Sequence, residues 1–411
     1  VRGAGLLEPG RRGVALAYAF NGFALASWTA RLPGIRAAVD LDAAGLGVLL
    51  TAGAIGTLLT VPVAGRLVAR LGALPTYRLA TLVFAAAYLL LAVALLLGQV
   101  PLLLVGNAVH GVAFALTNVP QSILAAGSER RVGRTILPQF HAGYSIGSAL
   151  GALLGGASSA AGVSPAAQFL ALAVAAVVVR WSIGRHVAPL AASLARERRS
   201  ALAARAAALV QSGPVPVVPR GSRRFGLGVW THPQVLLLGL IVFAAALSEG
   251  TATNWSAVAV VDAFGVTEAD ASLGITVFLV AQTVLRLTGG PLIDRLGRVR
   301  VLTLSCAAAV AGIALFVLAP GFVLALVGLA LWGAGSALAV PIGIAAAAAD
   351  PIDGPSRVAA VTSLSSVANI AGPPAIGALA VPLGVRPAML AVSVVVAAAV
   401  AAAPRALRPR R

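Results

Sequence analysis

Apolar residues run along this chain in blocks long enough to cross a bilayer, separated by short clusters of Arg, Gly and Pro. Three stretches, Leu79 to Val109, Thr135 to Val179 and Val301 to Ala349, contain no Asp, Glu, Lys or Arg at all. A helical crossing needs about 20 apolar residues. Each stretch therefore reads as two crossings divided at a turn signal: Gly98-Gln99-Val100-Pro101, Gly162-Val163-Ser164-Pro165 and Pro320-Gly321. The same division along the whole chain predicts twelve transmembrane helices, at 14–37, 47–68, 77–97, 101–125, 135–158, 165–185, 234–261, 270–292, 299–319, 321–347, 357–381 and 386–404.

Composition removes the soluble alternative. The 411 residues are 59% hydrophobic and only 10% charged, with a mean hydropathy of +0.97. A soluble domain of this length needs far more surface charge. The net charge of +18 comes from 30 basic residues, all Arg. A nucleic-acid partner is not expected, because the Arg residues sit between apolar blocks rather than on one polar face. The termini and even-numbered loops hold nearly all of them; the opposite loops hold only Arg36 and Arg386. By the positive-inside rule both termini belong in the cytoplasm and the chain in the cytoplasmic (inner) membrane. The one cysteine, Cys306, lies in an apolar block, so neither a disulfide framework nor a metal cluster is expected, and no cofactor.

The longest polar connection divides the chain into six and six crossings: an N-terminal bundle at 1–185, a cytoplasmic connector at 186–233 and a C-terminal bundle at 234–411. Leu190 to Val210 predicts a helix lying on the inner leaflet. Ser212 to Ser222, with three Pro, predicts an extended linker. The halves repeat. Ala26-Ser27-Trp28 matches Thr253-Asn254-Trp255, Gly65 to Gly72 matches Gly290 to Gly297, and Asn118-Val119-Pro120 matches Ala339-Val340-Pro341. Parallel six-span repeats are a known transporter architecture.

The stretch Gly290-Pro-Leu-Ile-Asp294-Arg295-Leu-Gly297-Arg298 resembles the G-x-x-x-D-R-x-G-R signature of the major facilitator superfamily (MFS), between spans 8 and 9. The first-half copy departs from it, with Ala69 at the Asp position and Ala73 at the position of Arg298. Asn21-Gly22-Phe23 through Trp28 to Pro33, Leu137 to Gly143, and Glu249-Gly250 through Ser256 look most like a bacterial branch grouped with fucose-permease-like proteins. The resemblance implies an all-α membrane fold of two pseudo-symmetric six-helix bundles and transport by alternating access. It implies a gate built on Gly290, Asp294, Arg295, Gly297 and Arg298, and a central cavity lined mainly by spans 1, 4, 7 and 10.

Helical spacing nominates the cavity residues independently. In span 4, Asn107, His110, Phe114, Asn118 and Gln121 share one face at about 100° per residue; such a face is costly against lipid and belongs against protein or water. Helix–helix hydrogen bonding by Asn and Gln is the alternative. Span 1 adds Asn21, Trp28 and Arg31; span 7 adds Glu249, Thr253 and Ser256. Span 5 groups His141, Tyr144, Ser145 and Ser148 beside a strip of Gly. Trp255 and Trp332 read as packing. Arg31, His110 and Glu249 fall at similar depth, so a polar layer is expected there. Glu249 is the only acid deep within a span, and hence the candidate proton-coupling residue; a static Glu249–Arg31 bridge is the alternative. Arg286 lies about 10 Å shallower, so no pairing with Glu249 is expected, and a structural role near the 8–9 loop is.

No nucleotide loop, metal-ligand spacing or nucleophile motif points to an enzyme. The reading is a secondary transporter of a small organic solute, acting as a monomer, with protons the candidate coupling ion and the lipid bilayer as its surroundings. A drug/proton antiporter-type exporter and a non-transporting membrane sensor or scaffold remain the alternatives.

Overall fold

Local chemistry sets the helix ends. The Asp42 carboxylate accepts from the Gly45 amide at 2.7 Å and the Thr267 hydroxyl from the Asp270 amide at 3.1 Å, each satisfying an orphan donor of a first turn. Gly98, Gly133 and Gly265 close their helices in the left-handed conformation (φ 63°, 68° and 62°). A computed structural model describes residues 9–133, 136–211, 232–348 and 354–407. Every regular element among them is a helix: α1 (Pro9–Thr29), α2 (Leu32–Ala38), α3 (Ala43–Leu71), α4 (Ala73–Leu97), α5 (Val100–Val132), α6 (Leu137–Ala160), α7 (Pro165–Gln211), α8 (Pro233–Phe264), α9 (Glu268–Leu296), α10 (Arg298–Leu318), α11 (Phe322–Ser336), α12 (Ala339–Ala348), α13 (Gly354–Leu383), α14 (Val385–Ala388) and α15 (Leu390–Ala406).

Ten stretches among the described residues are long and apolar enough to cross a membrane. The other two expected crossings are α1 and α6, the helices that carry Asn21, His141 and the Gly strip. Their lower apolarity is offset by contact with each other. A Cβ at Gly22 would meet the Tyr144 carbonyl oxygen, one at Gly147 that of Ala19, and one at Gly151 that of Phe23. The two backbones thus touch at three points, the small-residue packing that lets helices associate within lipid.

The crossings form two halves. In the first, α1 packs on α6 and α7, α3 and α4 on α5, and α4 on α7; in the second, α8 packs on α13 and α15, α9 on α11, and α10 on α11 and α15. Between the halves the main contacts are α6 with α9 and α3 with α13. In span numbers these are 5 with 8 and 2 with 11, and each becomes the other when six is added or subtracted. The interface therefore carries the pseudo-symmetry of the repeat. Gly72 and Gly297, equivalent in the repeat, share the same strained backbone (φ 94° and 80°), which L side chains rarely adopt.

Three expectations are corrected. Span 1 is not continuous: α1 ends at Thr29 and α2 begins at Leu32, with Pro33 in its first turn. Span 10 is broken between Ser336 and Ala339, ahead of Pro341. Span 6 does not stop near residue 185 before a separate surface helix; α7 continues to Gln211 with Pro189 inside it. One missing amide bond at Pro189 does not end the helix because the apolar stripe persists. Val187, Leu190 and Ala191 pack with Val14, Leu124, Ile136 and Phe140, and Leu194 packs against them. Beyond, Glu197 pairs with Arg131, and Arg198 donates to the Ala69 carbonyl at 2.7 Å. The predicted linker Ser212 to Ser222 lies outside the described residues.

Candidate functional site

The break in span 10 creates a free acceptor. Pro341 has no amide hydrogen, so the Ala337 carbonyl, four residues earlier, lacks its helical donor. Arg286 on α9 takes it, donating from Nε at 3.3 Å. The same guanidinium donates from Nη2 to Glu249 Oε2 at 3.0 Å. The expectation that Arg286 and Glu249 are too far apart in depth is thereby overturned. A long guanidinium stem and a carboxylate stem lean toward each other and close the axial offset. The pair is 27% and 29% exposed, unlike the many fully buried polar groups of the interior. It also lies at the interface of the halves: His141 on α6 is within electrostatic reach of Arg286, and Tyr144 on α6 within reach of both Arg286 and Glu249. Tyr18 of α1 stands edge-on to His141, with ring centroids 5.3 Å apart.

Arg31 is placed elsewhere than the polar layer expected with Glu249. Because α1 ends early, Arg31 falls in the break before α2. There it donates to the carbonyls of Val163 at 2.7 Å and Gly155 at 3.4 Å, and its Nε stands 3.4 Å from Glu268 Oε2. Glu268, at the start of α9, also accepts from the Gly34 amide at 2.8 Å and the Ser159 hydroxyl at 2.7 Å. Arg36 bridges to Asp262 at 2.6 Å. These contacts tie the two halves together at the α2 end of the molecule. At the opposite end, Gly290, Asp294, Arg295, Gly297 and Arg298 are all exposed.

The other nominated residues divide by surroundings. Trp28 and His110 are buried in a ring cluster of the first half, with Phe84, Tyr88 and Phe169 at centroid separations of 5.2 to 5.4 Å from one or the other. Asn107 donates to the Leu49 carbonyl at 2.7 Å, and Asn21 donates to Asn118 Oδ1 at 3.0 Å, so these amides join helices. Gln121 is buried with both amide atoms unpaired. Thr253 donates to carbonyls of its own helix, at Glu249 and Gly250. Ser256 is buried with its hydroxyl unpaired. The span 4 face is a single stripe by spacing, yet its members meet α3, the ring cluster and α1, because a long helix crosses several neighbours.

The residue that spacing undervalued is Arg286. A cation within a span is a functional hypothesis by default, and Pro341 in span 10 was the legible sign that an acceptor would be free. Trp332 does pack, fully buried, with its indole donating to Ser248 at 2.7 Å. Among the described residues no three His, Cys, Asp or Glu gather as a metal site would require.

The sequence profile of the Major Facilitator Superfamily matches residues 14–256 and 238–411. An uncharacterized transporter of Sinorhizobium fredii is 32% identical over 376 residues, 91% of this chain and 92% of that protein. Among solved structures, the nucleoside transporter NupG superposes with a TM-score of 0.73 at 13% identity, covering 96% of this chain and 99% of that one. The fucose:proton symporter FucP of E. coli superposes at 0.59 with 16% identity, covering 98% and 100%. At such identities these likenesses speak for the fold, which agrees with the two-half arrangement and the 2–11 and 5–8 contacts. Profile, relative and architecture together make this multi-pass membrane protein a member of the Major Facilitator Superfamily and a secondary transporter.

Proposed function

We propose that the chain carries a small polar solute across the cytoplasmic membrane by alternating access, with Glu249–Arg286 as the charge switch at its centre. The observation that carries this is a partly exposed ion pair inside the membrane-spanning region, where an ion is retained only for use or with a partner. Closure at the Glu268–Arg31 and Arg36–Asp262 end, with the signature loop exposed at the other, supports an inward-facing state. The Arg distribution supports cytoplasmic termini. The working unit is a monomer in which 1–185 and 234–411 rock about each other, joined by 186–233.

In this reading Glu249 is ionised and paired while the cavity faces the cytoplasm. Protonation neutralises it and frees Arg286 to hold only the Ala337 carbonyl, so proton movement and rocking are linked. Proteoliposomes loaded with a pH gradient test this, using radiolabelled D-glucose, D-mannitol and uridine as probes. Glu249→Gln keeps size and hydrogen bonding but not titration. Gradient-driven uptake should fall by about tenfold or more, while exchange without a gradient stays within about twofold. Both activities persisting at wild-type levels would remove Glu249 from the coupling step.

A further inference from the structure

Two guanidiniums share the seam between α4 and α7. Arg180 of α7 is fully buried and lies over the Tyr77 ring at 4.7 Å. It donates to the hydroxyls of Thr117 at 2.8 Å and Thr81 at 3.2 Å, and its Nη1 has no partner. Arg78 of α4 lies over the Trp181 ring at 5.2 Å. Each cation thus stacks on the ring that neighbours the other cation in sequence. Among the described residues Arg78 makes no hydrogen bond or salt bridge, and its Nε is buried.

No acid offsets these charges. Neither α4 nor the neighbouring α1 and α3 contains one, and the one acid of α7, Glu197, is held by Arg131. Glu129 of α5 accepts from the Ile136 and Leu137 amides at 2.9 and 2.8 Å. A third cation, Arg185, is exposed one turn beyond Trp181. Side chains on a helix lean over the turn before their own, so Arg185 leans back toward Trp181 and Arg78. Guanidiniums gathered without a carboxylate draw an anion, and their planar forks suit a phosphate.

The surface below the cations says which anion. Along α7, Leu170, Val174, Val178, Trp181 and Arg185 follow steps of 4, 4, 3 and 4 and are all exposed. Along α4, Arg78 is followed at steps of 4, 4 and 3 by the exposed Leu82, Ala86 and Leu89. At about 100° per residue each set is one face of its helix, and the Arg78–Trp181 contact joins the two at their polar ends. The α7 stripe runs about 22 Å, longer than the ~15 Å hydrocarbon depth of one leaflet. An exposed indole between an apolar stripe and a cation is placed as Trp is at a membrane interface. A free phosphate would account for the cations but leave the apolar stripes without a role. An amphiphile accounts for both. A zwitterionic headgroup brings its own cation, so an anionic one offsets the arginines better.

We propose that the α4–α7 seam binds an anionic phospholipid, with its phosphate between Arg78 and Arg185 and an acyl chain along the two stripes. The site is independent of Glu249 and of the solute carried. Its assignment to the cytoplasmic leaflet rests on the orientation proposed above.

The test is thermal stabilisation of the purified full chain in neutral detergent. The probes are dioleoylphosphatidylglycerol, dioleoylphosphatidylcholine and glycerol phosphate. Wild type should be stabilised by the glycerol lipid at about tenfold lower concentration than by the choline lipid. Arg78→Gln combined with Arg185→Gln should lose that preference. Arg405→Gln, exposed on the other half, should keep it within about twofold. Phosphatidylglycerol with brominated chains should quench tryptophan fluorescence more in wild type than in Trp181→Phe. Equal stabilisation by the two lipids overturns the proposal. So does glycerol phosphate acting as strongly as the lipid, which would mean a soluble phosphate ester fills the seam. Loss of preference in Arg405→Gln as large as in the double variant would assign it to diffuse surface charge, and equal quenching in Trp181→Phe would place the lipid elsewhere; either result overturns it. Should the double variant not fold, Arg185→Gln alone, at an exposed position, should weaken the preference several-fold, and an unchanged preference there is equally fatal. Lipid binding as expected, together with a thiol at Arg199 that reacts from outside the cell, would overturn the orientation and leave the site standing.

Discussion

Arg286 shows how a single side chain can be misplaced by depth alone. Counting residues along straight helices set it about 10 Å from Glu249, and two flexible stems removed that distance. Its role depends on two acceptors held by one planar fork, so Arg286→Lys, with a compact ammonium, cannot keep both. Transport should fall about as far as with Glu249→Gln, at unchanged membrane abundance; a lysine variant at wild-type rate would show that charge alone suffices. Asn21 and Asn118 are the opposite case. Spacing nominated both for the cavity, with helix–helix hydrogen bonding as the alternative, and they meet each other at 3.0 Å. A double-mutant cycle of Asn21→Ala and Asn118→Ala, read by unfolding of the purified protein, should give a coupling of about 0.6 kcal/mol and not above about 1.7. Zero coupling would mean each amide is replaced by water.

At the scale of elements, most helices were legible because an uninterrupted apolar run of bilayer length has few other fates. The breaks were not, since they depend on what neighbouring helices supply to freed carbonyls. Span 10 is the instructive one. Pro341 removes a donor, and the structure uses the vacancy to seat Arg286. Pro341→Ala returns an amide hydrogen to the Ala337 carbonyl and removes a residue that costs about 3 kcal/mol in a helix interior. The variant should be as stable as wild type or more so, and yet transport should drop several-fold as Arg286 loses its second acceptor. Reduced stability together with unaltered transport would show that the break serves folding rather than the site. The continuity of α7 escaped the sequence for a related reason. Polar residues past 185 read as the end of a crossing, but Val187, Leu190 and Ala191 keep one side buried in the first half's own core.

For the whole molecule, the two-half architecture followed from the repeat, and the conformational state did not. Repeats specify what is equivalent; which end is shut depends on bridges between residues far apart in sequence. Here Glu268 gathers Arg31, Gly34 and Ser159, and Asp262 holds Arg36. Weakening that cluster should open this end. Spin labels at the exposed positions Ala38 and Ala263 should report a longer mean separation in Glu268→Gln combined with Asp262→Asn than in wild type. An unchanged distance distribution would assign the closure to helix packing of α3 with α13 and α6 with α9. The same end should face outward: in intact cells a thiol introduced at Asp42 should react with an impermeant reagent, and one at Arg199 should not.

The backbone contact of α1 with α6 bears on how the gene tolerates change. At exposed apolar positions such as Leu59 and Val174, exchange for another apolar residue alters little, because no neighbouring side chain fixes the shape there. At Gly22, Gly147 and Gly151 the smallest possible addition, one methyl, has no space to enter. The two crossings with the least apolar sequence are therefore the ones least free to drift. A saturation library scored for surviving protein should show these three positions as narrow troughs in an otherwise permissive landscape, spaced along the seam where the two helices meet.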